Sequence, residues 1–381
     1  MSDDFLTSEQ TENYGRYVAD PNEVQLARYF HLDERDLAFI NQRRGKHNRL
    51  GIALQLTTAR FLGTLLPDPL QITSYIRFYI AAQLNISRPE ILSRYAEREN
   101  TRWEHQGLIK LYYDYHDFGD FPWTFRLKRL LYTRAWLSNE RPGLLFDFAT
   151  AWLLQNKILL PAASTLTRLI GEVRERASRR LWRRLALLPD SWQKTQLDGL
   201  LEIPEGQRIS VLEEMRKGPV TISGPSFTDA LERYTRLRSM EFSRLNFSGL
   251  PAIQLRNLAR YAGMDSVKYI SRMPDERRLA VLTAFVKAQE ISALDEAVDV
   301  LDMLILDITR SAKNIGQKKR LRTLKDLDRA ALLLARACSL LLDENTDEAA
   351  LRQAIFRRIP KDKLAESVGK VNELARPQDT Q

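Results

Sequence analysis

From Ser164 to Leu188 the apolar residues Leu166, Leu169, Ile170, Val173, Ala177, Leu181, Leu185 and Leu188 recur three or four positions apart. That spacing lines one stripe of an α-helix, whereas a strand would scatter the same residues over both its faces. The segment therefore has one regular conformation that hides its apolar side, and Ser164 is the expected cap. Shorter copies of the period recur throughout the chain. Ile72, Tyr75, Ile76, Tyr79, Ile80 and Leu84 make one, and Ile52, Leu54, Leu56, Phe61 and Leu62 make another. No stretch alternates convincingly at a period of two, so the fold expected is all-α: helix-turn-helix type modules followed by an irregular multi-helix domain.

Turn and cap residues divide this helical chain. Asp33 starts a helix carrying Leu37, Phe39 and Ile40, which ends in the run NQRRGKHNRLG. There Gly45 can close one helix and Asn48 can cap the next. Ser87 with Glu90 and Thr101 with Glu104 read as capping boxes, predicting a helix from Arg88 to about Arg98 and another after it. A helix near 123–137 is expected to bury Trp123, Phe125, Leu127, Leu130, Leu131 and Trp136. One near 142–156 is expected to bury Leu144, Leu145, Phe148 and Trp152. Gly218, Pro219, Gly224 and Pro225 then mark the most turn-rich stretch. The expected organisation is a helical module at 1–70, a second with the long basic helix at 71–188, a linker at 189–225, and a bundle at 226–376. In that bundle helices are predicted near 226–243, 251–262, 265–272, 275–290, 293–315, 324–343, 347–358 and 361–374.

Charge supplies the functional lead. The net charge is +9, from 58 Lys and Arg against 49 Asp and Glu, and arginine suits bidentate contact with phosphate. The cations cluster where helices begin or turn. Arg43, Arg44, Lys46, His47, Asn48 and Arg49 share one turn, where backbone amides and positive side chains converge on an anion-sized space. Ser87, Arg88, Arg94, Arg98 and Arg102 decorate a second helix, turn and capped helix. Arg126, Lys128 and Arg129 follow, and Arg168, Arg176, Arg179 and Arg183 fall opposite the apolar stripe of the long helix. Helix, turn, helix is a geometry that places a helix in the DNA major groove, and a line of arginines can follow a phosphate backbone. The competing reading is a set of ordinary solvated helix faces.

Other chemistry finds few parts. Cys338 is the one cysteine, so disulfides and thiolate zinc are excluded. His31, His47, His105 and His116 lack helical metal spacing. Asp295, Asp299 and Asp302 share a helix face, with Asp307 further along, and read as a solvated acidic surface. No glycine loop for phosphate and no nucleophile motif appears, so no metal, cofactor or catalytic residue is assigned. The start of the chain is acidic and polar and no apolar run is long enough to cross a membrane, so a cytoplasmic protein without membrane contact is expected.

Several blocks carry a family likeness. RDLAFINQRRGKHNRLGIALQLTTARFLG, YIAAQLNI, SRYAERENTRWEH, LLQNKILLPAASTLTRLIGEVRERASRRLW and RNLARYAGMDSVKYISRMPDERRLAVLTAFV resemble, in order, the N-terminal part of the replicative transposases of the Tn3 family. Agreement runs from about 33 to about 376. The resemblance implies recognition of terminal inverted repeats by the helical domains, with DNA contacts in the blocks at 43–49, 87–102 and 168–184. In that family a later ribonuclease-H-like domain carries an Asp-Asp-Glu triad for magnesium. This sequence stops at Gln381, before that region, so no triad is assigned and no enzyme activity is expected. The partner implied is double-stranded DNA, with a homodimer or a transposase subunit also open. The alternative is a helical interaction scaffold that associates with full-length transposase.

Overall fold

Across residues 5–97, 99–342 and 351–374, which the computed structural model describes, every regular element is a helix; His116 and Ile158 form one isolated bridge. The chain divides into two compact units, Met1–Arg216 with Leu237–Glu290, and Lys217–Arg236 with Ile291–Gln381.

Two hydrophobic clusters of the first unit carry the candidate site. One is built around α1 (Glu34–Asn41), α2 (Lys46–Leu62), α3 (Ser74–Gln83) and α4 (Glu99–Tyr113). Every residue of α2 from Leu50 to Ala59 is buried, so the middle of this helix is enclosed on all sides, with Lys46 exposed and the residues at either end half-buried. Its polar residues are satisfied internally. Gln55 donates to the Leu66 carbonyl at 2.9 Å and accepts from the Leu66 amide at 2.8 Å, while Thr57 donates to the Ala53 carbonyl at 3.0 Å. Gly51 is required by close packing, because a Cβ there would lie 2.3 Å from the Tyr95 ring. A buried carboxylate ties three helices together. Arg60 of α2 meets both oxygens of Asp36 of α1 at 2.7 and 2.5 Å, and the Tyr113 hydroxyl of α4 donates to Asp36 at 2.7 Å.

The second core packs α5 (Trp123–Leu137), α6 (Pro142–Gln155) and α7 (Ala163–Ala186) as a three-helix cluster. Leu166, Leu169, Ile170, Val173, Ala177, Leu181 and Leu185 are the buried side of α7, as the spacing predicts. The helix begins at Ala163 without a side-chain cap, and Ser164 instead offers its carbonyl to Thr167 at 3.0 Å. In α5 only Leu127 and Leu131 are fully buried; Phe125 is 62% exposed and Leu130 38%. Leu144 of α6 is also exposed. Three helices covering one small core leave each with a narrow apolar stripe, so residues beside the stripe stay in solvent.

Among the described residues the remaining helices of eight residues or more are α8 (Ser191–Gly199), α9 (Gly224–Ser239), α10 (Ala252–Met264), α11 (Asp275–Leu341), α12 (Leu351–Arg358) and α13 (Lys361–Leu374). In the first unit α10 is joined to the end of α5, where Gln254 donates to the carbonyls of Ala135 and Ser138 at 3.0 and 2.7 Å. In the second unit Arg233 of α9 pairs with Glu296 of α11 at 2.9 Å, and Ala293, Ala297 and Val300 are buried. The segments expected as separate helices at 275–290, 293–315 and 324–343 are one helix of 67 residues. No proline occurs between 275 and 341, and the single cost of about 1 kcal/mol at Gly316 does not end a helix. Among the described residues no helix is long and apolar enough to cross a membrane.

Candidate nucleic-acid interface

The apolar stripe of α7 turns its opposite side outward, and the packing of α5 against α7 leaves a surface groove between them. Phe125, Lys128, Arg129 and Tyr132 line it from α5, and Glu172, Val173, Arg176 and Arg180 from α7. A second groove runs on along α7 past Glu175, Arg179, Arg183 and Arg184, sharing Glu172, Arg176 and Arg180 with the first. Lys128, Arg129, Arg176, Arg179, Arg180, Arg183 and Arg184 thus line one continuous strip, against which stand two carboxylates. Arg176 to Arg183 covers roughly 10 Å of helix, over which one DNA strand presents about three phosphates.

The donors of this strip are lightly engaged. Arg179 pairs with Glu175 one turn earlier, Arg183 with Glu276 at 3.7 Å, and Arg168 with Glu172 at 4.0 Å, all between exposed side chains. Such pairs contribute little net stability, so an incoming anion competes with them at small cost. Arg180 is aimed more firmly: it donates to the Tyr132 hydroxyl at 3.1 Å and lies over the Trp136 ring at 5.2 Å. Arg184 donates to the Gly249 carbonyl at 3.2 Å. Arg126 is exposed and stacks on Trp123 at 5.2 Å. Tyr132 was not singled out in the sequence, Phe125 was expected in the core, and Arg180 and Arg184 entered only as members of the block at 168–184. Arg180 and Arg184 follow Arg176 at successive helical turns, a signal that the spacing does contain.

The N-terminal clusters are arranged differently. Asn41 and Arg43 offer their carbonyls to Arg49, at 3.2 and 2.9 Å, so this guanidinium closes the end of α1. The helix α2 begins at Lys46 with Gly45, at φ 82°, in the cap position. Asn48 is therefore not the cap; its amide donates back to the Arg44 carbonyl at 2.9 Å. Arg43 stacks on Phe39 at 5.2 Å. Arg44 and Lys46 are exposed and His47 half-buried.

The capping boxes expected at Ser87 and Thr101 are absent. Pro89–Leu92 is a 3-10 turn with Arg88 before it and no side-chain cap, followed by the single turn Ser93–Ala96. Thr101 lies inside α4, which starts at Glu99. The S-x-x-E pattern predicted a longer helix, and two short turns stand in its place. Ser87, Arg88 and Arg94 are exposed; Arg98 lies outside the described residues. Arg102 is largely covered and donates to the Pro67 carbonyl at 2.9 Å. Between these two clusters sits a buried pair: the rings of Tyr95 and His105 stack at 5.5 Å, with Nδ1 of His105 3.2 Å from the Tyr95 hydroxyl. Burial pulls the His105 pKa down to about 4, and the Arg43 charge acts in the same direction, so the imidazole is neutral near pH 7. Among the described residues no three His, Cys, Asp or Glu side chains meet as a metal site.

An all-helical domain with an exposed cationic strip on two packed helices is the class these features define. Residues 5–173 match a family described as a domain of unknown function, DUF4158. The chain is homologous along its whole length to transposases of the Tn3 family. It is 76% identical over 379 residues to the transposase for transposon gamma-delta of Escherichia coli (strain K12), covering 100% of this chain and 38% of that protein. It is 28% identical over 353 residues to the transposase for transposon Tn501 of Pseudomonas aeruginosa (93% of this chain, 35% of that protein). It is 26% identical over 380 residues to that for Tn1546 of Enterococcus faecium (99% and 38%). The chain thus spans somewhat over a third of the length of these relatives.

Proposed function

We propose that this chain binds double-stranded DNA and recognises the terminal inverted repeats of a transposon, with the strip on α5 and α7 holding the phosphate backbone. The observation that carries the reading is the strip itself, where cations outnumber acids and the only ion pairs are exposed. Phosphate contacts there would set register and supply a salt-dependent affinity. The exposed Arg44 and Lys46 at the start of α2, and Arg88 and Arg94 beside it, would supply contacts from the other core. The transposase relatives support a transposon end as the ligand.

An anisotropy titration comparing an inverted-repeat duplex with a scrambled duplex tests the proposal. Wild type is expected to prefer the repeat at physiological salt, and equal affinity for both would sink specific recognition. In Arg176→Gln/Arg179→Gln/Arg183→Gln the slope of log K against log salt is expected to fall by about 3, at 0.9 per phosphate.

A second reading is favoured by α11. Ile291, Leu294, Val298, Leu301, Ile305 and Ile308 alternate three and four positions apart, and all six are exposed. That is an open heptad seam with β-branched residues at alternate positions, suited to pairing with the same helix of a second copy or of a transposase carrying it. Sedimentation of wild type and Val298→Asp/Ile305→Asp tests this: a dimer lost in the variant supports it, and a monomeric wild type at tens of micromolar rejects it.

A further inference from the structure

The middle of α11 carries a feature that neither reading uses. Residues 305–322 are exposed without exception, about 27 Å of helix with no covering side chain among the described residues. Within and just beyond this stretch lie Arg310, Lys313, Lys318, Lys319, Arg320, Arg322 and Lys325, and from Ile308 through Lys325 there is no acid at all. None of the seven makes an ion pair with a described residue. The contrast with α7 is chemical: there Glu172 and Glu175 interrupt the arginines at helical spacing and pair with them.

Such a segment opposes its own folding. Lys318 and Arg322 are one turn apart, as are Lys319 and Arg322, and like charges at those spacings destabilise a helix. Packing does not compensate here, although tertiary contact is the usual source of helical stability. Packed residues lie only to either side within this unit: Ala293, Ala297 and Val300 before it, Ala330 and Ala337 after it. A dense negative surface would relieve this repulsion.

We infer that the 310–325 segment of α11 is a second nucleic-acid contact, a folded helix that seats its cations between the two phosphate rows of a duplex. The angular distribution of the charges favours a groove over a flat anionic surface. Successive residues differ by about 100° around the axis, so Lys318, Lys319 and Arg320 point in three directions, and a flat surface would reach only some of them. A helix is about 10–12 Å across with its side chains, and the major groove is about 12 Å wide with phosphates on both rims. This contact uses none of the residues of the α5–α7 strip, and either can fail without the other.

The test uses the full chain and Lys318→Gln/Lys319→Gln/Arg320→Gln/Arg322→Gln, in which glutamine preserves helix propensity and no buried residue changes. Binding to a 40-base-pair duplex of arbitrary sequence is measured from low to physiological salt, with circular dichroism confirming unchanged helicity. The slope of log K against log salt is expected to drop by about 3 to 4. An unchanged slope overturns the inference, as does absence of duplex binding by wild type. So does a variant that keeps its duplex affinity but loses binding to phosphatidylserine vesicles. With the exposed native thiol removed by Cys338→Ser, Gln317→Cys carrying a photocrosslinker should label the duplex, and labelling only of protein would also overturn it. The same titration on Arg176→Gln/Arg179→Gln/Arg183→Gln separates the sites: a slope lost in the α11 variant alone leaves this inference standing while the α5–α7 reading falls.

Discussion

The arginines of the α1–α2 turn and those of α7 are the same residue type in equally basic surroundings, yet they direct their donors oppositely. In the turn, Arg49 donates to the carbonyls of Asn41 and Arg43, and in the nearby α4 Arg102 donates to that of Pro67. Along α7, Arg168, Arg179 and Arg183 face solvent and pair with exposed carboxylates, while Arg184 reaches the Gly249 carbonyl. The difference follows from backbone chemistry. Helix ends leave carbonyls unpaired and a nearby arginine is drawn to them, whereas mid-helix carbonyls are already bonded and the side chain is left available. A cation count alone therefore overstates the anion-binding capacity of a turn relative to that of a helix face.

The largest perturbation of this comparison is at the clamp that holds the turn. Replacing Asp36 with Asn leaves Arg60 without its partner, and urea denaturation should show a loss of about 3–5 kcal/mol. A loss below about 1 kcal/mol would mean that α1 is held against α2 by other contacts. Next comes pH. With His105 at about 4 when folded and about 6.5 when unfolded, the unfolded chain takes up the proton first as pH falls. Stability present above about pH 6.5 is then lost down to about pH 4, by about 3 kcal/mol in all. His105→Gln should flatten that window. Burial pushes Asp36 upward, but hydrogen bonds from Arg60 and Tyr113 and the Arg60 charge outweigh it and hold it below its usual value. Its contribution is lost at lower pH still, as pH falls below the ordinary carboxylate value through the folded one, and should survive in His105→Gln.

Arg49→Ala should cost about 1–3 kcal/mol of stability by uncovering partly buried carbonyls, with duplex affinity changed less than in Arg176→Gln/Arg179→Gln/Arg183→Gln. A stable Arg49→Ala protein that no longer binds duplex would reverse the contrast. The smallest effect is expected from Glu172→Gln/Glu175→Gln. Freeing Arg168 and Arg179 should tighten duplex binding by about fivefold or less at low salt, and a weakening would show that the carboxylates aim these arginines.

Much of the fold was legible because helical period is a local property. The stripe of α7, the burial of Ile76 and Ile80, and the all-helical class follow from spacing alone. Ends of elements were less so. Ser87 and Thr101 carry capping patterns that the chain does not use: a 3-10 turn follows Arg88, and the next helix already starts at Glu99. The continuity of α11 was also hidden, since a single glycine among strong helix formers reads like a break and is not one.

The sequence by itself determined that this chain is helical, basic, and similar in ordered blocks to transposases, since period, charge and ordered similarity depend only on residues along the chain. Tertiary structure alone decided which cations are available. Whether a guanidinium meets solvent or a carbonyl depends on partners far away in sequence, as Arg60 on Asp36, Arg102 on Pro67 and Arg184 on Gly249. The α5–α7 strip likewise exists because two apolar stripes pack and leave their flanks to water.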